Sequence, residues 1–309
     1  MIKPVYVFSG FLDSGKTQAI KETLYNPRFN EGEPSLIICY EQGDVIYDEK
    51  FLKATNSQVI YMDSIKDLTI EKQKEIDRNY RVERIFLELN GMEDDNILYE
   101  TGFIRNWELA QTLTTIDASR FNLYMTNMRQ FMYNHVVNAE VVILNRSDDV
   151  DKRYLRNNLK SINQYIELIY EDKDGNVTNK IEDELFDTSK DLDISDIDYG
   201  LWFMDAIDNP QKYDHKKLSI KVRYVGDIEG YPDVLMMGRK AMVCCAADTT
   251  DIALPCFNLK KKDIDSKKYY YLSGTVRCIE NEEGIRMCAL DVKSCKEAPA
   301  PEEEYVNFN

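Results

Sequence analysis

Eight residues near the start, Gly10-Phe-Leu-Asp-Ser-Gly15-Lys16-Thr17, have the types and spacing that a polyphosphate requires. Gly10 and Gly15 let backbone N–H groups wrap around phosphate oxygens, and a helix beginning here turns its positive dipole end toward the anion. Lys16 is placed to reach β and γ oxygens, and the Thr17 hydroxyl is a ligand for Mg²⁺. Asp13 and Ser14 complete the loop. Asp13 brings a charge into an anion cradle, which is tolerable when its carboxylate points outward.

A second constellation, Asn145-Arg146-Ser147-Asp148, ends an apolar run. A carboxylate at Asp148 accepts hydrogen bonds from both N1–H and the 2-amino group of guanine, donors that adenine lacks. Asp148 would therefore select a guanine nucleotide. The same residues also read as a strand-ending turn, with Asp148 capping a helix that runs to Leu159.

Two carboxylates complete the candidate chemistry. Glu88 closes the run Arg84-Ile-Phe-Leu-Glu, which brings it to the carboxyl edge of a sheet, where ligands of open α/β sheets bind. There it can hold a metal-bound water or orient an attacking one, and Gly91 leaves backbone room for a γ-phosphate. Glu41, in Glu41-Gln-Gly43-Asp44, follows an earlier apolar run; a surface turn is the alternative for Glu41, and a structural role for Glu88.

These residues need a scaffold. Apolar runs at Val5–Ser9, Ser35–Tyr40, Gln58–Met62, Arg84–Leu89, Leu113–Asp117 and Val141–Asn145 are separated by enough chain for crossover helices, including Gln18–Tyr25. That alternation implies an α/β fold with a mostly parallel sheet. Between Tyr170 and Tyr213 the chain turns acidic, although Leu201-Trp-Phe-Met reads as a docking helix. A boundary is expected near Asn209-Pro210, giving units at 1–212 and 213–295.

From Leu218 onward short β-type runs appear: Leu218–Val225, Ala241–Ala247, Ile252–Phe257, Tyr269–Ile279 and Ile285–Val292, with turn signals at Gly230, Gly238 and Gly284. They predict a small all-β unit, a five-stranded, OB-like barrel. Residues 296–309, beginning Lys296-Glu-Ala-Pro-Ala-Pro, read as a flexible acidic tail.

Composition narrows the partners. The chain has 309 residues, 43% hydrophobic, 30% charged and a net charge of −16. That charge repels a phosphate backbone, so no nucleic-acid partner is expected. The one basic cluster, Lys260, Lys261, Lys262, Lys267 and Lys268, reads as a solvated loop. With no export signal at Met1-Ile-Lys-Pro and no apolar run of membrane-spanning length, the expectation is a cytoplasmic protein that inserts into no membrane. Seven cysteines, six of them after residue 240, are expected as thiols or metal ligands, since disulfides do not suit that compartment.

With Glu88-Leu-Asn-Gly91 and Thr115-Ile-Asp117-Ala118 between the two motifs, roughly the first 190 residues resemble the CobW/HypB/UreG family of P-loop GTPases. The resemblance implies GTP and GDP as ligands with Mg²⁺. Lys16, Glu41 and Glu88 would carry catalysis; Gly10, Asp13, Ser14, Gly15, Lys16, Thr17, Asn145 and Asp148 would bind the nucleotide; Thr17, Glu41 and Glu88 would hold the metal. Arg146 replaces the usual Lys and Asp13 the usual Gly. The family's metallochaperone Cys-x-Cys-Cys is missing between Glu41 and Glu88, so metal delivery by that site is not expected. Family members often pair, which leaves a homodimer open.

In the second unit Cys244-Cys-Ala-Ala-Asp248 resembles a segment of a permease-associated bacterial family. Cys278 and Cys288 flank a hairpin turn at Glu282–Gly284 that would set them opposite each other, a candidate zinc pair; ordinary core thiols are the alternative. The functional expectation is a slow Mg²⁺-dependent GTPase that couples nucleotide state to a protein partner or client through its C-terminal domain. Its rivals are a non-hydrolysing, nucleotide-gated scaffold and a metallochaperone using the C-terminal cysteines.

Overall fold

The structure, a computed structural model, describes residues 2–179, 186–228, 230–245, 248–280 and 284–306, the side chains of 232, 243–245 and 248 excepted. The chain divides into two compact units, Met1–Lys180 and Ile181–Asn309. Among the described residues no helix is long and apolar enough to cross a membrane.

The first unit is built on eight strands: β1 (Lys3–Ser9), β2 (Ser35–Cys39), β3 (Ser57–Tyr61), β4 (Arg84–Glu88), β5 (Trp107–Asp117), β6 (Val141–Asn145), β7 (Glu167–Glu171) and β8 (Val177–Thr178). They are ordered β3-β2-β4-β1-β5-β6-β7-β8, and every pairing is parallel except β7 with β8. The alternation of a strand sends successive side chains to opposite faces, and here both faces are covered. Val5, Val7, Ile38 and Leu87 meet Ile76 and Leu98 from helices Ile70–Asn79 and Asn96–Thr101 on one side. Phe8, Ile37 and Phe86 meet Ile20, Leu24 and Phe51 from helices Lys16–Tyr25 and Glu49–Ala54 on the other. Each such side chain contributes roughly 1.5–3 kcal/mol on burial. Strand ends Ser9, Cys39, Glu88, Asp117 and Asn145 consequently share one carboxyl edge.

The second unit contains β9 (Leu192–Asp193), β10 (Lys217–Ile228), β11 (Tyr231–Cys245), β12 (Asp248–Phe257), β13 (Tyr269–Glu280), β14 (Arg286–Ala298) and β15 (Tyr305–Val306). Strands β11-β12-β14-β13-β10 lie side by side, and β10 also pairs with β11, which closes the expected five-stranded barrel. Pairing between β12 and β14 is parallel, as in an OB-like arrangement.

Three sequence expectations need correction. The division falls ahead of 212/213 because helix Tyr199–Asp208 buries Tyr199, Trp202, Phe203 and Met204 in the same core as Leu218, Ile220, Leu254 and Leu272 of the barrel. Through Val306 the tail is docked: β14 runs to Ala298, β15 pairs with Lys240 and Ala241 of β11, and Val306 enters the core. Gly238 marks no turn; it lies inside β11, where a side chain would strike the Ile252 carbonyl.

Candidate nucleotide-binding site

Between β1 and helix Lys16–Tyr25 the chain makes the loop predicted to cradle phosphate. Phe8 packs with Ile20 and Leu24, which seats the helix with its first turn at the end of β1. Gly10 has φ 126°, and a side chain there would meet the Thr115 carbonyl. Ser14 is fully buried, its hydroxyl 2.7 Å from Thr115 Oγ1, so it braces the loop against β5. Lys16 Nζ donates to the carbonyls of Gly10 (2.7 Å) and Phe11 (2.9 Å) and to Glu41 Oε1. Asp13 turns toward the segment after β2, where its carboxylate accepts the Asp44 N–H at 3.4 Å. That orientation keeps it from crowding the anion cradle.

Opposite the loop, Glu88 is buried and held on both oxygens. Thr17 Oγ1 donates to Oε1 at 2.6 Å and the Tyr47 hydroxyl to Oε2 at 2.5 Å. Burial and the neighbouring Glu88 carboxylate push the Tyr47 hydroxyl well above its ordinary pKa, so Tyr47 stays a donor. The same two causes push the Cys39 thiol up to about 12. Thr17 and Glu88 are hard oxygen donors side by side, which fits Mg²⁺, an ion that takes one or two carboxylates together with phosphate oxygens and water. Glu41, expected beside them, is instead drawn to Lys16.

At the end of β6, Asn145 Nδ2 donates to the Ser14 carbonyl at 2.5 Å, tying the two sequence motifs together. Arg146, at φ 54°, donates to buried Asp117 at 2.6 Å, and Asp117 also accepts from Ser119. Lys16, Thr17, Asn145, Arg146, Glu171 and Lys173 are among the residues lining one cleft of about 530 Å³. Burial, followed by Glu22 and Asp172, raises the pKa of Glu171, while Arg146 opposes the shift. Asp148 stands outside that lining and accepts the Lys173 N–H at 2.9 Å. It does not cap the following helix: Asp151 does, accepting from Arg153 N and Tyr154 N.

The model of the CobW/HypB/UreG nucleotide-binding domain matches residues 4–170, more than half of the chain. The chain belongs to this family of P-loop GTPases. Residues 169–308 of this CobW/HypB/UreG member match the DUF1980 C-terminal domain, a span that includes the Cys244-Cys-Ala-Ala-Asp248 segment. Solved structures similar to it include a Zn(II)-bound triple mutant of the YjiA GTPase, at 14% identity and TM-score 0.46, over 99% of this chain and 92% of that one. Another is the hydrogenase maturation factor HypB from Archaeoglobus fulgidus, at 14% identity and TM-score 0.41, over 55% and 81%. No curated protein sequence matches the chain.

In this family member a buried group that sequence reasoning missed lies beneath the cradle. His135 Nε2 is 3.2 Å from the Gly91 carbonyl, while its Nδ1 is 2.8 Å from Ser9 Oγ and 3.0 Å from Asp95 Oδ2. Gly91 itself approaches so closely that a side chain would lie 2.6 Å from the Gly10 carbonyl. The only sequence signal was a histidine in a chain that has two.

The C-terminal cysteines are placed in part as expected. Cys278 and Cys288 are direct partners across β13 and β14; the turn residues Asn281, Glu282 and Glu283, and the side chains of Cys244 and Cys245, lie outside the described residues. Burial first, then Cys278, pushes the Cys288 thiol up to about 12, and burial also raises Cys278. Among the described residues no three His, Cys, Asp or Glu side chains converge as a metal site.

Proposed function

We propose that the cleft binds a guanine nucleotide with Mg²⁺ and hydrolyses GTP slowly, and that the C-terminal unit passes the nucleotide state to a protein partner or client. The observation that carries this reading is the hydrogen bond from Asn145 to the Ser14 carbonyl, which joins the phosphate loop and the base loop around one cleft. Lys16 neutralises charge on the transferring phosphoryl group, and Glu88 orients the attacking water. Thr17 and Glu88 would hold Mg²⁺, whose contribution is further charge neutralisation. Asp148 would read guanine after exchanging the Lys173 N–H for the base. No residue of the cleft is assigned as an arginine finger, which is why the proposed turnover is slow.

The test is thermal unfolding of the purified chain with Mg²⁺ and either GDP or ADP. A ligand at ~100 times its Kd stabilises by ~2.7 kcal/mol, a rise of about 5–10 °C for a unit of this size. GDP should raise the transition and ADP should not; equal shifts would remove Asp148 as a base reader, and no shift would remove the nucleotide site. Zinc held by Cys278 and Cys288 is the weaker reading. Their opposition across the strands supports it, but burial resists the thiolates that zinc needs.

A further inference from the structure

Lys16 and Gly91 present two N–H donors to one point of the cleft, and one atom of the chain already takes both. Glu41 Oε1 accepts from Lys16 Nζ and, at 3.3 Å, from the Gly91 N–H. An ammonium has three protons. Those of Lys16 are matched by three acceptors, the Gly10 and Phe11 carbonyls and Glu41. The donor atoms are fixed from behind: Lys16 begins a helix seated on Phe8, and Gly91 abuts Gly10 and Phe11 with its carbonyl facing His135. Glu41, in contrast, opens a segment without helix or strand that runs to Asp48.

We propose that Glu41 is a specificity-determining residue, a built-in carboxylate competitor for the γ-phosphate. The inference rests on the reading of the cleft as a guanine-nucleotide site. A carboxylate oxygen shared by a lysine and a backbone N–H reproduces the charge and donor pattern of a terminal phosphate oxygen. The lysine of such a loop serves β and γ oxygens alike, and on the same reading of the cleft the Gly91 N–H, now taken by Glu41, is the donor left for the terminal group. A triphosphate must therefore expel Glu41 and a diphosphate need not do so fully. Glu41 thus biases the site toward GDP.

The experiment compares Glu41→Ala and Glu41→Gln with the unaltered chain, titrating fluorescent GDP and β,γ-imido-GTP in EDTA and again with Mg²⁺. In EDTA both variants should raise the triphosphate-to-diphosphate affinity ratio, roughly tenfold for Ala and less for Gln, whose amide oxygen still accepts but carries no charge. Retained GDP binding shows that a variant is folded, and Gln preserves the shape should Ala not fold. An unchanged or lowered ratio in EDTA, with GDP binding intact, overturns the proposal and leaves the nucleotide site standing. If the unaltered chain binds neither nucleotide, both fall together.

Discussion

Glu88 sits where β4 ends, and its two oxygens are taken by different elements, Thr17 from the helix after the phosphate loop and Tyr47 from the segment after β2. A carboxylate held in this way has its direction set before substrate arrives, which is the preorganisation that water orientation requires. Glu88→Gln keeps the shape and loses the charge. It should lower single-turnover GTP hydrolysis by about 100-fold or more and leave GDP affinity within a few-fold; a variant that hydrolyses normally would return Glu88 to a purely structural role. Lys16 and Thr17 were legible because fixed spacing in one short stretch specifies their geometry, and Asn145 because it opens a four-residue motif at the end of an apolar run. Tyr47 and His135 were not, since their partners lie 41 and 44 residues away and no local pattern marks such contacts. Glu41 was legible as a site residue, offered by the sequence to a metal, but its pairing with Lys16 was not.

At the scale of elements, apolar runs located the strands, and polar stretches concealed their extensions. β5 begins at Trp107, six residues before the apolar run, because Glu108, Leu109 and Gln111 pair with β1 through backbone bonds that make no demand on side-chain polarity. β7, Glu-Leu-Ile-Tyr-Glu, was hidden by its acidic flanks. The C-terminal segment was misjudged for a related reason. Its proline and glutamate content argues against a packed core, but a two-residue strand needs only one apolar anchor, and Val306 supplies it. Val306→Asp would bury an unpaired carboxylate at that point. It should cost about 2 kcal/mol or more and lower the melting of the second unit by several degrees, with nucleotide affinity unchanged. A melting temperature equal to that of the unaltered chain would mean that β15 adds nothing to the barrel.

At the scale of the whole molecule, the chain has two units with separate hydrophobic cores, one a parallel sheet covered by helices and the other a barrel filled by an aromatic helix. Separate cores predict separate cooperative transitions in calorimetry. A ligand of the first unit raises the transition of that unit by mass action whatever the second does. The second transition therefore isolates the coupling. If the barrel responds to nucleotide state, its midpoint must differ between Mg²⁺–GDP and Mg²⁺ with β,γ-imido-GTP. A coupling free energy of about 1 kcal/mol would separate the two by roughly 4 °C or more in a unit of this size. Midpoints that coincide while the first transition moves would leave a nucleotide-binding unit joined to a barrel that does not sense it, and the search for a partner would then move to the segment Glu41–Asp48, which begins at the carboxylate paired with Lys16.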